Sequence, residues 1–404
     1  MDWQTTADVQ PSHFVTDAEA RAARGKAPVT GAWREGDPVG FRTFAPIGAF
    51  TTEAGFTLPH IRIAYETFGE LNADRSNAIL IFHALTGDSH VARTNGEERQ
   101  NDGWWQDVVG PGLTIDTDRW FVVCPNVLGG CQGSTGPASL SARGTEWGAN
   151  FPHLTIRDQT RAFQALGTHL GITHWAALIG GSMGGMHALE WAISAPETVA
   201  RLAILAAPPF ATADQIALNS VQIEAIRTDP NFAGGDYYDA PLGAGPSRGL
   251  ALARRMAMLN YRTARELNDR FQRDWQSDVS PLGGAGRFAV ESYLDFHGNK
   301  FTRRFDANSY ITLTEAMNSH DITRGRGTVA EALRSVTMPS LTLGISTDRY
   351  FTLDGQIEIA RHMPASIHGA EPIIIDSEFG HDAFLIESNQ VGSALAELLQ
   401  SPDH

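Results

Sequence analysis

From residue 56 onward the chain alternates short apolar runs with longer stretches of helical period. Residues 58–65 (Leu-Pro-His-Ile-Arg-Ile-Ala-Tyr) alternate apolar and polar positions, as a strand with one covered face does. Residues 78–82, 120–124, 175–179, 202–205, 340–345 and 372–375 are almost wholly apolar and read as strands buried on both faces. Helical stretches lie between several of them, residues 158–170 for example. Short apolar strands alternating with helices predict an α/β fold, with a mostly parallel central sheet flanked by helices. Residues 1–40 are polar, carry scattered Pro and Gly, and read as an extension that is partly disordered.

The rhythm breaks once. After Leu205 no clear core strand appears until Leu341. The segment between, residues 209–335, has helical periodicity and is rich in Arg, Ala and Leu. Ligands bind open α/β sheets beyond the carboxyl ends of the strands. The segment therefore reads as a helical lid over that edge, inserted into a core of residues 41–208 and 336–404.

Gly180-Gly181-Ser182-Met183-Gly184 falls where strand 175–179 gives way to a helix start at 185–192. A bare G-x-S-x-G is common and can be a glycine-rich turn that happens to hold a serine. Between a strand and a helix it has the context of a nucleophile elbow. There the turn exposes the serine hydroxyl and aims the next backbone N–H, that of Met183, at the same point. Such a serine needs a base and a group to orient that base. In this architecture the order is Ser, acid, His. Asp348 follows strand 340–345 and His381 follows strand 372–375, so both fit. Asp376 and Asp382 are the rival acids, but Asp376 ends the histidine's own strand and Asp382 adjoins the base. The second N–H of an oxyanion hole should come from the loop after strand 78–82, which makes Leu85 the candidate. His83 and His90 flank that loop without a carboxylate pattern, so no metal site is expected.

Charge and composition narrow the partners. The 404 residues carry a formal charge of −15 and are 42% hydrophobic and 19% charged. This is an ordinary globular composition, and the charge argues against nucleic acid or an anionic membrane as the main partner. Cys124 and Cys131, the only cysteines, are too few for a disulfide scaffold. Cys124 reads as core and Cys131 as a loop residue near a pocket. No signal peptide and no 18-residue apolar run are apparent, so a cytoplasmic location is expected.

Several longer motifs carry a resemblance. They are Phe82-His83-Ala84-Leu85-Thr86-Gly87-Asp88, Asn126 through Pro137, Thr155-Ile156-Arg157-Asp158, Gly180 through Gly185, and Gly380-His381-Asp382-Ala383-Phe384-Leu385. Together, in this order and over about residues 50–395, they resemble the homoserine O-acyltransferase family. The resemblance implies an α/β-hydrolase fold with a helical lid and a homodimer joined through lid helices. It further implies ping-pong transfer of an acyl group from a CoA thioester to L-homoserine, with no permanently bound cofactor. The stretch 252–262 looks like the family's lid helix. On that match Arg254 meets the substrate carboxylate, Tyr261 is a nearby pocket residue and Asp382 meets the amino group. Arg254 and Tyr261, seven residues apart, share a helix face, and a guanidinium can grip a carboxylate through two hydrogen bonds.

Succinyl-using relatives carry an arginine two residues after the triad aspartate. Here that position is Tyr350, and Arg349 stands one place earlier, as in acetyl-using members. The resemblance therefore implies acetyl-CoA as donor. The competing family readings are homoserine or serine O-succinyltransferase and serine O-acetyltransferase. Outside transfer, the alternatives are a serine esterase with the same triad and a non-catalytic binding protein that keeps the fold.

Overall fold

The computed structural model describes residues 25–93 and 102–402. Residues 1–24 of the expected N-terminal extension lie outside them.

Strands β1 (Thr43–Thr51), β2 (Thr57–Phe68), β3 (Ala78–Phe82), β6 (Phe121–Pro125), β7 (Ala177–Gly181), β8 (Leu202–Leu205), β9 (Ser340–Ile345) and β10 (Ile373–Ile375) form one sheet, in the order β1-β2-β6-β3-β7-β8-β9-β10. Two short strands, β4 (Val109–Gly110) and β5 (Ile115–Asp116), pair apart from it. From β6 across to β10 every pairing is parallel, while β1 and β2 join antiparallel. Side chains alternate across the parallel strands. Leu80 and Phe82 enter the core on one face, and Ile79 and Ile81 the core on the other. Two buried faces explain why these segments are continuously apolar rather than alternating.

Sequence pattern located seven of the eight main strands, with small shifts at their ends, but not β1. Its sequence, TFAPIGAFT, holds a Pro and a Gly, and its pairing with β2 slips at Pro46, Gly48 and Phe50. An edge strand tolerates both residues because one side of its backbone is unpaired.

Helices α1 (Ile156–Leu170) and α2 (Met183–Ser194) pack on one face. Helix α1 starts at a capping box, in which Thr155 and Asp158 satisfy each other's backbone N–H. Between β8 and β9 the described chain holds no main-sheet strand. It holds α3 (Ala213–Arg227), α4 (Ser247–Tyr261), α5 (Ala264–Phe271), α6 (Ala289–Phe301), α7 (Ala307–Asn318) and α8 (Val329–Leu333). Helix α4 packs against both α3 and α6. After β9 come α9 (Leu353–His362), α10 (Ala383–Ile386) and α11 (Ser388–Gln400). The chain before β1 is tied to the helical segment. Gly31 N–H donates to the Phe305 carbonyl at 3.1 Å and Thr30 Oγ1 to Asp306 at 2.7 Å.

Two histidines are buried as neutral groups. His320 shares a 3.0 Å hydrogen bond with the Pro208 carbonyl, and His187 one of 2.9 Å with Gln159. Burial holds His320 down to about 4 and His187 well below its ordinary value. The unfolded chain protonates both near about 6.5, so between these values it binds more protons than the folded one. Stability should therefore fall as pH drops below about 6.5. Urea midpoints measured from pH 7 to 5 check this, and a flat profile would contradict it.

Candidate active site

The turn after β7 is built for a serine in an unusual conformation. Ser182 has φ 58° and ψ −125°, a region that non-glycine residues rarely adopt. Its N–H donates to the Leu205 carbonyl at 2.9 Å, and its carbonyl accepts from Gly185 N–H at 2.9 Å as α2 begins. The neighbouring glycines permit this closeness. A Cβ on Gly180 would lie 2.1 Å from the Gly184 carbonyl oxygen, and one on Gly184 would lie 2.1 Å from that of Phe82.

His381 Nε2 lies 2.8 Å from Ser182 Oγ, and His381 Nδ1 lies 2.6 Å from Asp348 Oδ2. The other oxygen of Asp348 accepts the N–H groups of Tyr350 and Phe351 at 2.8 and 2.9 Å. Those two bonds fix the orientation of the carboxylate toward the histidine. All three side chains are buried. The rings of Tyr261, Tyr350, Phe351 and Phe384 surround the imidazole, with centroids 5.0–5.7 Å away. Burial alone would disfavour the imidazolium. The charge and hydrogen bond of Asp348 outweigh it, and with Asp382 they hold His381 above its ordinary value. The base is thus poised to accept a proton from Ser182. The rival acids are engaged elsewhere. Asp376 is exposed and accepts from Ser346 Oγ at 2.8 Å, and Asp382 lies 3.2 Å from Arg262 Nε.

Ser182 and His381 open into a cavity of about 350 Å³, lined also by Leu85, Arg254, Tyr261 and Asp382. The structure therefore brings together the residues that sequence reasoning drew from the core and from the helical segment. Met183 is buried as the first residue of α2, where the backbone N–H groups have no partner within the helix. Arg254 Nη1 donates to Thr86 Oγ1 at 3.3 Å. Arg262, which orients Asp382, also donates to Glu266 at 3.0 Å. Burial pushes the Tyr261 phenol up to about 12, against the pull of Arg254, so it stays protonated.

Arg349 is exposed, whereas Tyr350 is buried and its hydroxyl donates to Asn219 at 2.8 Å. Neither lines the cavity. Asp102, Trp104 and Arg304 line the cavity without having been singled out in the sequence, and Thr86 entered only within the Phe82–Asp88 motif. Arg304 stands in Thr302-Arg303-Arg304-Phe305 just after α6, where it looks like an ordinary solvated charge, and no spacing signal marks it. His83 shares a 2.7 Å hydrogen bond with the Ala84 carbonyl through Nδ1 and accepts Val127 N–H through Nε2, so it braces the Leu85 loop. His90 pairs with the buried Glu66 at 2.8 Å. Both cysteines are free and buried, and burial pushes the Cys131 thiol up to about 12.

An eight-stranded, mostly parallel sheet with a serine elbow and a histidine and an aspartate in hydrogen-bonded line defines the α/β-hydrolase class. Residues 77–387 match the family model described as alpha/beta hydrolase fold. Within that class the chain is 61% identical over 399 residues to the homoserine O-acetyltransferase of Leifsonia xyli, covering 98% of this chain and 99% of that one. It belongs to the homoserine O-acetyltransferase family. Among solved structures, the homoserine O-acetyltransferase of Bacillus anthracis superposes with a TM-score of 0.81 at 27% identity, covering 90% of this chain and 98% of that one. Esterase E22 superposes with a TM-score of 0.79 at 25% identity, covering 89% and 99%.

Proposed function

We propose that this chain transfers the acetyl group of acetyl-CoA to the hydroxyl of L-homoserine, through an acetyl ester on Ser182. The observation that carries the reading is the Ser182–His381–Asp348 hydrogen-bond line opening into a cavity that also presents Arg254 and Asp382. In the first half-reaction His381 takes the Ser182 proton as Oγ attacks the thioester carbon. The N–H groups of Leu85 and Met183 hold the oxyanion. As the tetrahedral adduct collapses, the C–S bond breaks, and the CoA sulfur leaves with the proton from His381. In the second, His381 takes the homoserine hydroxyl proton. The alkoxide oxygen attacks the acetyl ester, and Ser182 Oγ leaves with that proton. Arg254 grips the acceptor's carboxylate and Asp382 its ammonium group, so the hydroxyl is presented to the ester. Tyr261 packs against both Arg254 and the base. Because O-acetylhomoserine is an activated amino acid, the reaction suits methionine biosynthesis.

An acceptor-by-donor matrix tests the reading: homoserine, serine or no acceptor against acetyl-CoA or succinyl-CoA, with thiol release as the readout. Acetyl-CoA with homoserine should be fastest. With Arg349 exposed and Tyr350 buried, no residue at those positions meets a succinyl carboxylate. The esterase reading is favoured by the likeness to esterase E22. It predicts thiol release that homoserine does not accelerate.

Arg254→Lys should slow acceptor-dependent deacylation strongly and leave single-turnover acetylation of Ser182 nearly unchanged. Lysine keeps the charge but loses the two-point fork, and a misplacement near 1 Å can cost about 100-fold. Equal losses in the two half-reactions would remove Arg254 from the acceptor site.

Residues 209–335 then act as a lid, since Arg254 and Tyr261 close the cavity from above the sheet. The same segment is the proposed homodimer surface: Ile216 and Val221 of α3 and Leu252 and Leu259 of α4 are exposed apolar residues. Sedimentation should give twice the chain mass. Among the described residues no helix is long and apolar enough to cross a membrane. We place the reaction in the cytoplasm, the expected compartment for a chain with two free thiols that draws on acetyl-CoA.

A further inference from the structure

Among the described residues, Arg304 is the one guanidinium lining the cavity that the reaction as described does not use. Its Nη2 donates to the Thr86 carbonyl at 2.8 Å, while Arg254 Nη1 donates to the hydroxyl of the same residue. Both cations also lie against one ring, with Phe301 centroid distances of 5.6 Å for Arg304 and 5.2 Å for Arg254. Two like charges thus converge on Thr86, in the chamber that holds Ser182.

Neither is paired with a carboxylate: among the described residues, no carboxylate oxygen lies within 4.0 Å of either guanidinium. Asp382 is taken by Arg262, and Asp102 by Arg93. Asp88 lines the same cavity, and its charge is felt at Arg304 without a direct ion pair. Each arginine has five N–H donors and spends one on Thr86. Arg254 has no buried orphan nitrogen and Arg304 is exposed, so the remaining donors are open to the cavity and its mouth rather than held by the protein. A convergent pair of open guanidiniums is a site for an anion.

The two substrates of the proposed reaction scheme each carry an anion. The phosphates of CoA sit at the far end of the pantetheine arm from the thioester, whose carbonyl must reach Ser182. The acceptor's carboxylate is separated from its reacting hydroxyl only by a short carbon chain, so it must lie in the same chamber as Ser182. We propose that Arg304 shares the acceptor's carboxylate with Arg254, and so selects α-carboxylate alcohols over simple amino alcohols. This rests on the acyl-transfer reading above.

The test uses Arg304→Ala and the charge-keeping Arg304→Lys on the full chain. KM for L-homoserine should rise roughly 10- to 100-fold in Arg304→Ala, as expected for losing a charge-assisted hydrogen bond, and less in Arg304→Lys. Single-turnover acetylation of Ser182 should stay within about twofold of the parent chain. With 3-amino-1-propanol, which lacks the carboxylate, parent and variants should transfer equally slowly. Three results would overturn the proposal. Acetylation slowed with acetyl-CoA but not with S-acetylpantetheine would assign Arg304 to a CoA phosphate. Losses in both half-reactions with every substrate, in both variants, would make it a brace for the Thr86 loop. An unchanged KM would leave it without a role in acceptor binding. If the parent chain forms no acetyl-Ser182 at all, it is the acyl-transfer reading that fails.

Discussion

Ser182→Ala is expected to lose acetyl transfer by several orders of magnitude while keeping its fold. Residual turnover should reflect only binding and the N–H groups of Leu85 and Met183, as when a triad member is removed from other serine enzymes. Stability should change little, because alanine meets the same backbone demand at φ 58°. The one side-chain hydrogen bond given up is that to His381. Steady-state thiol release and a urea midpoint check the two halves together. Near-parental turnover in a folded variant would remove Ser182 from the mechanism.

Asp348→Asn should lower turnover by about 10³–10⁴-fold. The asparagine carbonyl can still accept the N–H groups of Tyr350 and Phe351, which occupy one carboxylate oxygen now. Its amide group then faces His381 Nδ1 as a donor. That ring nitrogen must accept, so Nε2 carries the proton and cannot take one from Ser182. The imidazolium also loses the charge that outweighs burial. Asp376→Asn is the control, since the exposed Asp376 side chain bonds to Ser346 and not to the histidine. If Asp376→Asn were crippling and Asp348→Asn were not, the acid would be misassigned.

The fold was legible wherever burial imposes a pattern. Strands covered on both faces cannot hide in a sequence, and β3, β8 and β9 fall at residues 78–82, 202–205 and 340–345 as read. Strand β1 was not legible, because an edge strand with a Pro, a Gly and two register slips keeps neither period nor apolar run. The triad line was legible because chain order and strand ends constrain it jointly. Asp348 could be preferred over Asp376 from strand position alone, and the 2.6 Å contact to His381 agrees. Arg254 and Tyr261 came from the family resemblance, since a helix arginine carries no mark of the cavity it faces. Arg304 came from neither, and Thr86 entered only as one position of the Phe82–Asp88 motif. Their convergence depends on how the helical segment settles on the loop after β3, a contact between residues 218 positions apart. No local pattern encodes such a meeting.

The central claim is an acetyl ester on Ser182 that homoserine discharges. Intact-mass spectrometry of the parent chain mixed with acetyl-CoA alone, followed by a chase with L-homoserine, tests it most directly. The account predicts one acetyl unit per chain, mapped to Ser182 and absent from Ser182→Ala. Homoserine should remove it far faster than buffer does, yielding O-acetylhomoserine. No adduct before homoserine is added, or an adduct that buffer and homoserine discharge at the same rate, would contradict it.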